Sequence, residues 1–185
     1  MLKIYIKLMT LFIFNRTKRK EKRLELYSNH YNKKFRRLCC YIGKNFIVRD
    51  KCKLTKNTSI GDYVGMNRVV VQGNANISIG SHCEFGQDIL IISNNHNYDK
   101  GTLLPYDETY IEKDIEIGDF VWIGSRVMIL PGTKIGEGAI IQGGAVVHGE
   151  IPPYAIAGGN PAKVFKYRDI EHFKRLKKEG KFLGE

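Results

Sequence analysis

The sequence predicts an all-β protein, a parallel β-helix of short hexapeptide strands, on three observations. Ile117, Ile123, Ile129, Ile135, Ile141 and Val147 recur every six residues without a break. An earlier run repeats the rule with Leu54, Ile60 and Met66, then Ile79, Phe85 and Ile91 after a slip of one residue. A single polar stretch, between Ile91 and Ile117, separates the two runs.

A period of six matches neither the 3.6 of an α-helix nor the simple alternation of an isolated strand. It fits a prism whose flat faces are short strands. Each aliphatic residue points inward, and small or β-branched residues four positions on, such as Val121, Val127, Thr133, Ala139 and Ala145, fit near the corners. Three hexapeptides close one coil of about eighteen residues. Residues 117–152 then form two coils and roughly 48–91 a little over two more, about 4–5 coils in all. Glycines that follow the aliphatic positions, among them Gly61, Gly80, Gly118, Gly124 and Gly136, are expected to relieve the backbone at the turns. Stacked coils share one aliphatic core. The period does not say which way the helix winds.

The 185 residues divide into three stretches: a segment at 1–45, the repeat domain at 46–165 with a loop at 92–116, and a tail at 166–185. Net charge is +11 and suggests nucleic acid until it is localised. Residues 1–53 carry +13, residues 54–162 carry −6 and residues 163–185 carry +4. The repeat domain is therefore acidic, and a nucleic-acid partner is not expected. Cys39, Cys40, Cys52 and Cys83 have neither zinc-ligand spacing nor a disulfide framework, which favours a reduced, cytoplasmic setting.

Residues 1–14 are apolar except Lys3, Lys7 and Thr10, which fall on one helical stripe. Fourteen helical residues reach about 21 Å, short of the ~30 Å hydrocarbon core, so a membrane span is not expected. A secretory signal is disfavoured because the basic run Asn15–Arg23 follows the apolar stretch instead of preceding it. Two readings stand. Residues 1–23 lie in the interface of an anionic membrane, at the inner face of the cytoplasmic membrane. Alternatively, the helix packs on its own domain or a neighbouring subunit. Residues 167–179 read as an amphipathic terminal helix.

The stretch IEIGDFVWIGSRVMILPGTKIGEGAIIQGGAVV, followed by IPPYAIAGGNPAKVF, resembles the left-handed β-helix (hexapeptide-repeat) acyltransferases. It is similar to the maltose/galactoside acetyltransferase-like branch, which includes polysaccharide O-acetyltransferases. The resemblance covers about residues 55–170 and not residues 1–45. It implies a left-handed helix, acetyl-CoA as co-substrate, and a homotrimer with active sites between subunits.

A rigid coil interrupted by a polar loop is a natural place for function. The loop opens with Asn94, Asn95, His96, Asn97, Tyr98 and Asp99. Histidine suits removal of a hydroxyl proton because its ordinary pKa of ~6.5 lies near working pH. A lone loop histidine is usually a solvated residue. The resemblance singles out His96, because the family's catalytic histidine stands at this point. Asn95 and Asp99 are candidate acceptor contacts. So is Asn67, beside Met66, which occupies the place where galactoside-type members carry an asparagine.

For the coenzyme, the resemblance implies contacts at Trp122, Ser125, Gly143, His148 and Gly149, with Lys163 and Lys166 near the nucleotide phosphates. His148 and Gly149 depart from the Thr-Lys pair common in the family. No metal is expected, since a catalytic zinc needs three converging ligands and His82 and His148 lie far from His96 in sequence. His82 is expected to face outward from a coil. The resulting expectation is acetyl-CoA-dependent O-acetylation of a sugar hydroxyl in surface polysaccharide biosynthesis. The alternatives are acetylation of a small diffusible acceptor (antibiotic, free sugar or amino sugar) and a non-enzymatic β-helix scaffold.

Overall fold

The computed structural model describes residues 2–183, with side chains from residue 16 onward. Its body is a parallel β-helix with three faces. Face I is a six-stranded parallel sheet of Tyr41–Ile42, Thr58–Ile60, Ile77–Ile79, Ile115–Ile117, Lys134–Ile135 and Glu150–Ile151. One strand per coil makes six coils, more than the 4–5 expected. The six-residue period in fact runs upstream through Val48 to Ile42, both buried, and Ile151 and Ala157 complete the last coil.

Faces II and III belong to one nine-stranded sheet that bends round a corner. Gly65–Gln72 and Glu84–Ile92 run unbroken through that corner. Later coils break it into pairs such as Trp122–Ile123 on face II and Met128–Ile129 on face III. The last strand, Ala162–Tyr167, folds back antiparallel on Ala155–Gly159.

The core is a stack of aliphatic side chains. Ile60, Ile79, Ile117 and Ile135 come from face I, Met66, Phe85, Ile123 and Ile141 from face II, and Val71, Ile91, Ile129 and Val147 from face III. Each contributes roughly 1.5–3 kcal/mol on leaving water. The outward positions differ by face. Face I presents Ser78, Glu116, Lys134 and Glu150, with Lys134 paired to Glu116 at 2.8 Å. Face III presents an apolar column of Val70, Leu90, Met128 and Val146, in register from coil to coil.

The repeated glycines have a different role from the one expected. Gly61, Gly80, Gly118, Gly124 and Gly136 do not adopt positive φ. They are glycine because the next coil passes too close: a Cβ on Gly118 would stand 2.8 Å from the Glu137 backbone nitrogen. The left-handed conformation falls two residues later. At the corner between faces I and II it is taken by Asn45, Tyr63, His82, Phe120, Gly138 and Tyr154, one per coil.

These corner side chains form an aromatic ladder. The His82 ring lies between Tyr63 and Phe120, with centroids 4.9 Å away on each side and planes 7° apart. His82 is therefore a ladder rung and not a free outward group. Gly138 leaves a gap in the ladder, and Phe173 fills it, edge-on to Phe120 at 5.8 Å and to Tyr154 at 5.0 Å. Phe173 belongs to the C-terminal helix α2 (Ile170–Lys178), whose first turn is capped by the Asp169 carboxylate accepting from the His172 N–H.

The N-terminal helix α1 spans Leu2–Leu38, far beyond the fourteen apolar residues. Its C-terminal part closes the open end of the first coil. Phe35 is fully buried against Phe46, Asn32 donates to the Phe46 carbonyl at 2.6 Å, and Arg36 donates to the carbonyls of Ile42 and Gly43 at 2.6 Å each. Residues 16–26, with six Lys or Arg, are exposed. Packing on the domain is thus established for the last third of the helix. The apolar side chains of residues 1–14 lie outside the described side chains. No described helix is long and apolar enough to cross a membrane.

Candidate active site

The polar insert leaves the third coil after Glu84–Ile92 and returns at Ile115–Ile117, at the corner between faces III and I. Its two ends pair as antiparallel strands, Asn94–His96 with Tyr110–Glu112. The Glu112 carboxylate accepts from the N–H groups of Asn74 and Ala75, at 3.0 and 2.9 Å. The root of the insert is thereby tied to the coil below it.

His96 sits at this root and opens onto a cavity of about 570 Å³. The cavity is lined by Gln72, Gly73, Asn74, Asn94, Asn95, His96 and Tyr110. Four side-chain amides, each with donors and an acceptor, surround one imidazole. Asn95 lines this cavity, whereas Asp99 is exposed in the following turn and does not line it. The imidazole lies between two tyrosine rings. Tyr106 is stacked at 3.6 Å between centroids with planes 16° apart, and Tyr110 is tilted at 4.6 Å. The His96 Nδ1 is shielded from solvent and has no hydrogen-bond partner among the described residues.

A second group collects on the corner between faces II and III. The Ser125 hydroxyl accepts from the Gln87 N–H at 3.0 Å, and the Gly144 N–H donates to the Ser125 carbonyl at 2.9 Å. A Cβ on Gly143 would stand 3.1 Å from that carbonyl, so glycine keeps this edge shallow. Asn67 pairs with Gln87 and so begins the same edge. Lys163 lies opposite Gly158 at its far end. On the adjoining face II, Trp122, Ile140, Ile156 and Lys166 form one outward column across successive strands. Trp122 is 57% exposed and borders a groove beneath α2.

The candidates thus divide between two edges of face III. His96 and Asn95 share the III–I edge with His148 and Gly149, two coils further along. Ser125, Gly143, Lys163 and Asn67 lie on the II–III edge, with Trp122 and Lys166 beside it. Within one chain Asn67 does not meet His96. Met66 is an inward core residue with no exposure, which places Asn67 on the surface beside it.

Sequence reasoning missed Gln72, Asn74, Tyr106 and Tyr110. The first two could have been found by stepping back one coil from the insert. The tyrosines lie in aperiodic sequence with no such signal.

Thiol chemistry has little support here. Burial pushes the Cys83 thiol up to about 12 and the Cys39 thiol up to about 11, so neither is a thiolate at neutral pH. Among the described residues, no group of three His, Cys, Asp or Glu side chains could hold a metal ion.

Comparisons with known proteins agree with this architecture. Residues 114–149 match the family described as bacterial transferase hexapeptide (six repeats). The putative acetyltransferase YvoF of Bacillus subtilis is 34% identical over 144 residues, covering 75% of this chain and 74% of that protein. This chain belongs to the hexapeptide-repeat transferase family. A chloramphenicol acetyltransferase of Escherichia coli is 39% identical over 109 residues, 50% of this chain and 52% of the relative. The chain spans about half the length of that family member and of those it matches in Klebsiella aerogenes and Morganella morganii. Among solved structures, a hexapeptide-repeat acetyltransferase of Vibrio cholerae complexed with acetyl coenzyme A superimposes with a TM-score of 0.67. It is 29% identical, over 80% of this chain and 85% of that one.

Proposed function

We propose that the chain is an acetyl-CoA-dependent O-acetyltransferase that modifies a sugar hydroxyl, with His96 as general base. The observation that carries this reading is the cavity at the root of the insert, where one histidine faces four side-chain amides. Amides donate and accept at once and suit a polyhydroxylated acceptor. With Nδ1 shielded, Nε2 is the nitrogen left to take a proton.

In the reaction, the acceptor oxygen attacks the thioester carbonyl carbon as its proton passes to His96. The C–S bond then breaks, and the coenzyme leaves as a thiolate that regains a proton. Products are an acetyl ester and free coenzyme A. General-base help of this kind contributes roughly 10²–10⁴. Ser125, Gly143 and Gly144 leave an edge shallow enough for a pantetheine arm, and Lys163 and Lys166 offer cations for the phosphates. Trp122 would wall the groove, while His148 and Gly149 would meet the coenzyme from the His96 side.

The split of the site between two edges supports a threefold assembly. When the apolar column of face III turns toward a threefold axis, the II–III edge of one subunit meets the III–I edge of the next. Ser125 and Lys163 of one subunit then approach His96 of its neighbour, and Asn67 comes to the acceptor side. A sedimenting mass other than three chains would overturn this arrangement.

The exposed basic stretch of α1 and the apolar residues before it favour a glycan carried at an anionic membrane surface. Residues 1–23 would lie in the interface. Co-sedimentation with anionic liposomes should be lost when they are removed; equal binding by the shortened protein contradicts this.

The relatives that acetylate chloramphenicol, as their names state, favour a second reading, a small diffusible acceptor. Thiol release from acetyl-CoA, measured against a panel of oligosaccharides and chloramphenicol, separates the two. Turnover with chloramphenicol alone would overturn the sugar reading.

A further inference from the structure

A catalytic imidazole is usually oriented by a hydrogen bond to its second nitrogen. His96 lacks one among the described residues, because its Nδ1 is shielded and unpartnered. Ring packing is what remains to hold it. Tyr110 is fixed opposite His96 by strand pairing. Tyr106 is not in a strand, yet its ring makes the closer contact, at 3.6 Å and 16°.

The loop that carries Tyr106 is exposed and has no core to shape it. One carboxylate gathers it instead. Asp107 accepts from the Thr102 N–H at 2.8 Å and the Thr102 hydroxyl at 3.3 Å. Its other oxygen accepts from the Thr109 N–H at 2.9 Å and the Thr109 hydroxyl at 2.5 Å. Asn97 completes the knot, with its side-chain N–H donating to the Thr109 hydroxyl at 3.0 Å and its side-chain oxygen accepting from the Lys100 N–H at 3.1 Å. The residues next to His96 and next to Tyr110 are thus tied together, and Tyr106 is the immediate neighbour of the carboxylate that ties them.

We infer that Asp107 is a positioning residue: by gathering the loop it seats Tyr106 on His96 and so aims the imidazole at the cavity. The inference rests on His96 being the base. It assigns Tyr106 the work that a hydrogen-bonding orienter performs elsewhere, and it makes the polar insert part of the catalytic apparatus and not merely a cover.

The test uses the full-length protein and variants Tyr106→Phe, Tyr106→Ala, Asp107→Ala, Asp107→Asn and His96→Ala. The first readout is the His96 Cε1–H proton resonance, identified by its loss in His96→Ala. A stacked ring shields that proton. Tyr106→Ala and Asp107→Ala should both move it downfield, Tyr106→Phe should leave it in place, and Asp107→Asn should fall between. The second readout is thiol release from acetyl-CoA with the best acceptor of the oligosaccharide and chloramphenicol panel. There the two alanine variants should lose about tenfold in kcat with the KM for acetyl-CoA unchanged, and Tyr106→Phe should restore turnover. An unmoved resonance in Asp107→Ala, with unchanged melting, overturns the positioning role whatever the activity. A moved resonance together with full turnover in His96→Ala would instead leave the positioning intact and remove the base assignment.

Discussion

In the proposed reaction the acceptor proton passes to His96, whose ring is held between Tyr106 and Tyr110. His96 alone carries no mark in the sequence that sets it apart from His30 or His172. Its place at the one break in the repeat does, and the structure adds the amide-lined cavity and the two rings. Asp107 offers a check at this scale. Hydrogen bonds from Thr109 and Thr102 hold its carboxyl down to about 2. A lowered carboxyl pKa means that its stabilising bonds are complete above the ordinary value of ~3.9 and are lost as pH falls through about 2. The Asp107 carboxyl carbon should therefore titrate near 2 by NMR; a midpoint near 4 would show that the four hydrogen bonds do not persist in solution.

At the scale of the elements, the coils show what a period can and cannot reveal. Ile117 through Val147 were legible because every sixth residue must fill the same core. The first-coil position Ile42 obeys the same period, with Gly43 in phase behind it, but stands among basic residues upstream of the coils counted from about residue 48, and so escaped. Helix α1 was legible only to residue 14. Its anchoring face includes Ser28 and Asn32, which bond to the first coil and do not read as an apolar stripe. The glycines were legible as a pattern but not as a cause, since coil spacing and not backbone angle demands them. Gly118→Ala tests that cause. The added methyl would press on the Glu137 backbone, and overpacking should cost about 1–3 kcal/mol, more than the ~0.4–1 kcal/mol gained from a stiffer unfolded chain. Urea unfolding measures the sum, and a stabilised variant would show that the spacing of the coils does not demand the glycine.

The whole molecule is asymmetric around its three faces in a way that the period cannot encode. Face I carries alternating charges and Trp122 stands on face II, while face III offers Val70, Leu90, Met128 and Val146 to its surroundings. In the proposed threefold assembly, outward positions of this kind decide how subunits meet, and a repeat read only for its inward residues is silent about them. Leu90→Asp puts a charge in the middle of that column. It should yield folded single chains with little turnover, seen as a fall in sedimenting mass at unchanged far-ultraviolet dichroism; an intact trimer would turn the assembly axis to another face.

On the proposed function, His96 takes the acceptor proton in a groove that binds the coenzyme without it. Acetyl-CoA affinity and turnover of His96→Ala, measured side by side with the unaltered protein, test it most directly. Turnover should fall by roughly 10²–10⁴ while acetyl-CoA still binds as tightly. Turnover near that of the unaltered protein would show that His96 is not the base.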